Sequence, residues 1–369
     1  MLRRLAAFAL VALLLPAPAA SAQEGRAPVF TPLTFAELPG WAEDDHAEAL
    51  RAYRRGCKPT SPLCREAARA LGLRGNAPRA FLEARFEPVE IPGPGFLTGY
   101  FEPEVPGSLA ATAAHPTALL APPAGLAAKP ETPPPGWPEG MAAARRTAAG
   151  FAAMPDRGAI ETGALGREAR PLVFVDPVDA FMIHVQGSAR IRLDGGEVIR
   201  VGFAGRNGHP YTAIGKVLAE REGLPPAEVT ADRLWAWLRA HPDKAPALMR
   251  ENRSYIFFRR IATKAEDGPT GAAGIPLTPG RSLAIDRSKW PFGALVWLDG
   301  TLPKPGGGSG PLRRLVVGQD TGTAIVGRTR GDLFVGSGPE AGATAALLRH
   351  PVRWIVLRPK PDPAARRRR

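Results

Sequence analysis

The sequence predicts a mainly β protein with some helix, divided into two domains, one of them a small closed barrel. Three observations carry this. After Asn252 the chain breaks into short strand-like runs (SYIFFRR, RSLAIDRS, GALVWLD, RRLVVGQD, TAIVG, DLFVG and VRWIVLRP) separated by glycine and proline turns at near-regular spacing. The length leaves roughly 345 residues once a leader is set aside, against a usual domain size of about 100 to 200. Composition also changes near residue 104 and returns to its earlier character near residue 250.

Taken in order, residues 1–22 (MLRRLAAFALVALLLPAPAASA) read as a secretory signal peptide. Arg3 and Arg4 supply the basic start, Leu5 to Leu15 the apolar run, and Ala20-Ser21-Ala22 the small-residue cleavage site. The run is short for a bilayer span, and no cysteine near the cut accepts a lipid. The mature chain is expected to start near Gln23 as an exported, periplasmic protein without a visible lipid anchor.

The stretch from Ala42 to Arg55 has acids first and bases last, which suits a helix dipole, and a second short helix is expected in REAARALGL. Between them CKPTSPLC sets Cys57 and Cys64 seven positions apart with two prolines between, a spacing that suits a disulfide in an oxidising compartment. A pair of half-buried thiols is the alternative, and two cysteines without nearby histidine fall short of a metal site.

The stretch from Ala121 to Gly140 is rich in proline and alanine without an apolar period, and reads as an irregular excursion. From Pro171 to Phe203 the pattern alternates, with Phe181, Ile183 and Val185 on one face and Met182, His184 and Gln186 on the other, so strands are expected. Gly195-Gly196 marks a hairpin. Two helices follow, in YTAIGKVLAEREGL and TADRLWAWLRAH, the second capped by Thr230 with Leu234, Trp235, Trp237 and Leu238 as its core face.

Of the formal net charge of +13, two positive charges come from Arg3 and Arg4 and four from Arg366 to Arg369, leaving +7 for the rest. Residues 361–369 are expected to be a disordered basic tail. An exported protein with this balance meets anionic wall polymers rather than nucleic acid, and no nucleic-acid reader motif is present.

The chemistry-bearing stretch is VVGQDTGTAIVGRTRGDLFVGSG, Val316 to Gly338, which sets Asp320 and Asp332 among glycines. Both are turn aspartates on one reading, since aspartate opens turns by bonding its own backbone. On the other, one of them is a catalytic acid, and the apolar Leu333, Phe334 and Val335 beside Asp332 favour a raised pKa. Glu102 and Glu104 read as solvated loop acids, and His184 and His209, without a nucleophile motif nearby, as structural or rim residues.

Seven motifs in order, GYFEP (99–103), VQGSAR (185–190), NGHPYTAIGK (207–216), NRSYIFF (252–258), AIDRS (284–288), QDTGTAIVG (319–327) and GDLFVGSGPEAG (331–342), resemble the membrane-bound lytic murein transglycosylase A family. The resemblance implies a double-psi β-barrel built from both chain ends (23–103 and 246–360) and a smaller inserted β-domain (104–245) facing a glycan groove. It implies cleavage of the β-1,4 bond between N-acetylmuramic acid and N-acetylglucosamine in peptidoglycan, with a 1,6-anhydro ring closing on the muramic acid. Two departures stand out: the family name implies a lipid anchor but no lipidation cysteine is present, and Gly322-Thr323 and Phe101 replace a Gly-Gly pair and the second aromatic of GYYEP.

On the resemblance, Asp332 is the catalytic acid, Asp320 binds substrate beside it, and Asp286 is a third, structural aspartate. Thr98, Tyr100, Gln186 and Asn207 are the candidate sugar contacts. No metal or cofactor is expected, because proton transfer needs only a carboxyl. The expected partner is the peptidoglycan glycan strand, with other cell-wall enzymes as protein partners, and the expected state is a monomer. Two other functions stay open: a glycoside hydrolase pairing Asp332 with Asp320 or Glu102, and a non-catalytic peptidoglycan-binding scaffold.

Overall fold

Continuous apolar runs such as LVWL (Leu295–Leu298) require burial on both faces, and the strands that carry them lie between two cores. In the computed structural model, which describes residues 30–225, 228–262, 267–303 and 308–361, Val296 and Leu298 face one core with Leu97, Leu283, Leu333 and Trp354. Leu295 and Trp297 face the other, against Trp41, Leu50 and Leu82. The expected signal peptide and all of the tail beyond Pro361 lie outside the described residues.

The first core is the inside of a closed six-stranded barrel. Leu295–Pro303 pairs antiparallel with Ser309–Asp320 and with Arg349–Pro359. Ser309–Asp320 runs parallel to Ser282–Ile285, which pairs antiparallel with Arg330–Ser337. Arg330–Ser337 runs parallel to Gly95–Glu102, and Gly95–Glu102 returns to Arg349–Pro359 to close the ring. One barrel strand thus comes from the N-terminal part of the chain and the other five from beyond residue 281. Three helices, His46–Gly56, Pro62–Gly72 and Ala77–Arg85, cover the outer core. Cys57 and Cys64 form a disulfide between the first two. The third helix, and Pro339–Leu347 after the fifth barrel strand, have no counterpart in the sequence reading.

After Glu102 the chain leaves the barrel at once. Glu104–Gly107, Ser188–Leu193, Val198–Arg206 and Ile256–Arg260 form a separate four-stranded sheet. Its core joins Val105, Ile191, Val201 and Phe258, and the helices Ile214–Glu222, Ala231–Ala240 and Ala245–Arg250 pack through a further cluster. Leu234 and Leu238 are buried there, with Trp235 and Trp237 partly buried against them. The Gly195-Gly196 hairpin and the Thr230 cap form as expected.

Three expectations need correction. Residues 177–186 are helix, not strand: Asp176 accepts from the amides of Val178 and Asp179, Pro177 occupies the first turn, and Gly187 ends the helix at φ 86°. The capping signal outranked the alternation. TAIVG (323–327) is a turn-rich loop, tied down where the Gly327 amide donates to Asp286 and the Thr321 hydroxyl to the Ile285 carbonyl. Ile256–Arg260 belongs to the four-stranded sheet, so the expected boundary at 245 falls too early: strand pairing with Val198–Arg206 holds the segment there.

Candidate active site

Alternation along two parallel barrel strands builds the site. Leu97 and Leu333 fill the barrel, so Thr98 and Asp332, which face one another in register, point outward. Tyr100 follows Thr98 on the same face and Phe334 follows Asp332, their rings 5.4 Å apart. Gly99 between them sits against the Pro339–Leu347 segment, where an added Cβ would approach Leu348 to 2.7 Å. A side chain there would push the strand off its helix.

Each of the two outward residues holds one carboxylate. The Thr98 hydroxyl donates to Asp332 Oδ1 at 2.5 Å, and the Tyr100 hydroxyl donates to Asp320 Oδ2 at 2.6 Å. Asp320 stands at the end of its own barrel strand and accepts two further bonds, from the Ala272 amide at 2.8 Å and the Thr321 amide at 2.9 Å. Behind Thr98, Arg330 Nη2 donates to the same hydroxyl at 2.8 Å. With its single proton committed to Asp332, the hydroxyl can only accept from the guanidinium, so the chain Arg330 to Thr98 to Asp332 has one direction.

Electrostatics separates the two acids. Burial pushes Asp332 up from the ordinary 3.8 to about 6, opposed by the Thr98 bond and the charge of Arg330 and assisted by the charge of Asp320. Burial also raises Asp320, while its three donors act to lower it. Tyr100 is raised well above its ordinary value, by burial first and then by the two carboxylates, and therefore remains a neutral donor.

Tyr100 and Asp320 open into a cleft of about 770 Å³ between the barrel and the four-stranded sheet. Its walls include Gln186, Phe203, Arg206, Arg259 and the loop 320–323. Gln186 accepts from the Phe101 amide at 3.2 Å through its oxygen, which leaves its NH2 to the cleft. Asn207 does not fit the role of a sugar contact: it is fully enclosed, donating to the carbonyls of Pro155 and Arg253 and accepting from the amides of His209 and Tyr255. Its amide joins three segments of backbone instead.

Other polar residues resolve as framework. Glu102 is no solvated loop acid but fully buried, paired with Arg190 at 3.1 Å and Arg200 at 2.8 Å and accepting from Ser337. Glu104 is half-buried and paired with Arg192. Asp286 accepts from Ser288 and Gly327 and anchors the loop beside Asp320. His184 is buried beside Arg157, and His209 contacts the Met154 carbonyl at 2.8 Å. Among the described residues no cluster of histidine, cysteine and carboxylate side chains has the makings of a metal site.

Sequence reading missed Arg330, and named Phe334 only as an apolar neighbour of Asp332 and not as the ring beside Tyr100. Both stand two residues from Asp332 on a strand, and the period of two alone places them on its face.

Comparison with known proteins matches this architecture. A profile of the MltA specific insert domain matches residues 96–259, and one of the 3D domain matches residues 281–358. The membrane-bound lytic murein transglycosylase of Agrobacterium tumefaciens superposes with a TM-score of 0.76 at 33% identity, over 92% of this chain and 99% of that one. MltA from Neisseria gonorrhoeae superposes with a TM-score of 0.76 at 29% identity, over 95% and 98%. The membrane-bound lytic murein transglycosylase A of Vibrio cholerae is 34% identical over 202 residues, 53% of this chain and 54% of that protein. The chain thus matches about half the length of that curated relative.

Proposed function

This chain belongs to the membrane-bound lytic murein transglycosylase A family, and we propose on that premise that it cleaves the β-1,4 bond between N-acetylmuramic acid and N-acetylglucosamine in peptidoglycan, leaving 1,6-anhydro-muramic acid. The observation that carries the reading is the carboxyl of Asp332, raised to about 6 and held by Thr98 on the strand that brings Tyr100 to the cleft wall with Asp320. At that value much of it is protonated near neutral pH, which a proton donor to a leaving sugar oxygen requires.

Asp332 gives its proton to the glycosidic oxygen as the bond to C1 breaks. The 6-hydroxyl of the same muramic acid forms the new bond to C1, and its proton goes to the Asp332 carboxylate. The acid is restored within one cycle and no water is consumed. Asp320, with Tyr100 and Gln186, orients the strand. Tyr100 offers an aromatic face and Gln186 a free NH2, groups suited to pyranose rings and acetamides.

The hydrolase that pairs Asp332 with Glu102 is disfavoured, because Glu102 is enclosed between two arginines. A peptidoglycan substrate and the Cys57–Cys64 disulfide both support a periplasmic setting. No helix among the described residues is long and apolar enough to cross a membrane.

Mass spectrometry of fragments released from purified sacculi tests the function. Anhydro products are expected; fragments heavier by one water would establish a hydrolase, and no release at all a binding scaffold.

A further inference from the structure

Two cationic side chains of the cleft take no part in that reaction. Arg206 ends the strand Val198–Arg206, Arg259 lies on the neighbouring strand, and both line the cleft. Arg260 of this sheet donates to the Leu172 carbonyl, whereas Arg190 and Arg200 meet the carboxylate of Glu102 and Arg192 that of Glu104. Arg206 meets neither carboxylate. Half-buried, it donates across the cleft to the Thr323 hydroxyl at 2.8 Å, and no carboxylate among the described residues lies within ion-pair distance of it or of Arg259. Asp320, the carboxylate on the cleft wall, is already engaged with Tyr100, Ala272 and Thr321.

A neutral hydroxyl offsets only part of the cost of drawing a guanidinium out of water, whereas a carboxylate matches its planar donors in pairs. Burial already pulls the Arg206 value down, with no anionic neighbour to oppose it. The donors that remain face a space wide enough for a ligand. An anion arriving there replaces a weak internal bond by a charge-assisted one.

We propose that Arg206, backed by Arg259, is a carboxylate receptor that makes the enzyme select anionic glycan strands over neutral strands of the same backbone. This rests on the transglycosylase reading, in which muramic acid supplies the anion as a free lactyl carboxylate or as carboxylates of an attached peptide stem. Thr323, which stands where the family resemblance expects a second glycine, holds the guanidinium across the cleft.

The test measures release of anhydro products from four strands: stem-bearing strands, stem-free strands with free lactyl groups, and each of these with its carboxylates converted to neutral amides. For wild type, kcat/KM is expected to be about tenfold higher on at least one charged strand than on its amidated partner, mostly through KM. The arm that shows the difference identifies the stem or the lactyl group as the source. Raising the salt to about 0.5 M should shrink the ratio, since screening weakens an accessible ion pair, and that measurement needs no variant. Arg206→Gln should bring the ratio close to one, and Arg206→Lys should restore part of it. Equal wild-type cleavage of charged and amidated strands in both arms, or an Arg206→Gln enzyme with the full ratio, overturns this inference alone. Absence of anhydro products from every strand overturns the transglycosylase reading and the inference with it.

Discussion

The Thr98 hydroxyl donates to Asp332 Oδ1 across 2.5 Å, joining residues 234 positions apart in the chain. A donor to the ionised form of an acid lowers its pKa, so Thr98 limits how far burial raises Asp332. Thr98→Val is therefore expected to move the basic limb of the pH profile upward and to lower kcat by roughly tenfold as the carboxyl loses its orientation. A rise in KM with the limb unmoved would assign Thr98 to sugar contact instead.

Asp332 with a value of about 6 predicts that kcat/KM falls as pH rises through that point, because the protonated acid starts the reaction. Its effect on stability has the same sign. A group raised in the folded state contributes stability that is complete below the unfolded value of about 3.8 and is lost as pH rises through about 6. Asp332→Asn removes that loss, so the variant should be more stable than wild type by up to about 3 kcal/mol at pH 7 and no more stable at pH 4. Thermal melts at the two pH values check it.

The same Asp332→Asn should lose about 100-fold to 10,000-fold in release of anhydro products, since an amide neither donates the proton nor takes one back. Asp320→Asn should lose less and mostly through KM, its task being to position the strand. Rates for both variants, with circular dichroism to confirm their folding, decide the assignment. A folded Asp332→Asn with near wild-type rates would transfer the role to Asp320.

Glu102 leaves the barrel at the point where the chain enters the four-stranded sheet, and its carboxylate holds Arg190 and Arg200 of that sheet together with Ser337 of the barrel. Glu102→Ala removes the carboxylate that both guanidinium groups share and should destabilise the protein by about 3–5 kcal/mol, read from denaturant unfolding. Glu102→Gln, which keeps the shape without the charge, should fall between that variant and wild type.

Local sequence determined what local physics controls. Five of the seven short apolar runs after Asn252 became barrel strands, because runs such as LVWL need burial on both faces wherever they lie. The Gly195-Gly196 hairpin, the Thr230 cap and the close Cys57–Cys64 pair were legible for the same reason: their partners are near in the chain. Ordered motifs pointed to Asp332 and to the family. Tertiary structure decided what depends on distant partners. Only packing shows Glu102 enclosed by arginines 88 and 98 positions away, or Asn207 consumed by backbone from three segments. The elevated value of Asp332 belongs here too, since burial and the Thr98 donor both require a strand from the other end of the chain to close the barrel beside it. A carboxylate's charge is written in its residue type; its solvation is set by whatever the fold brings near.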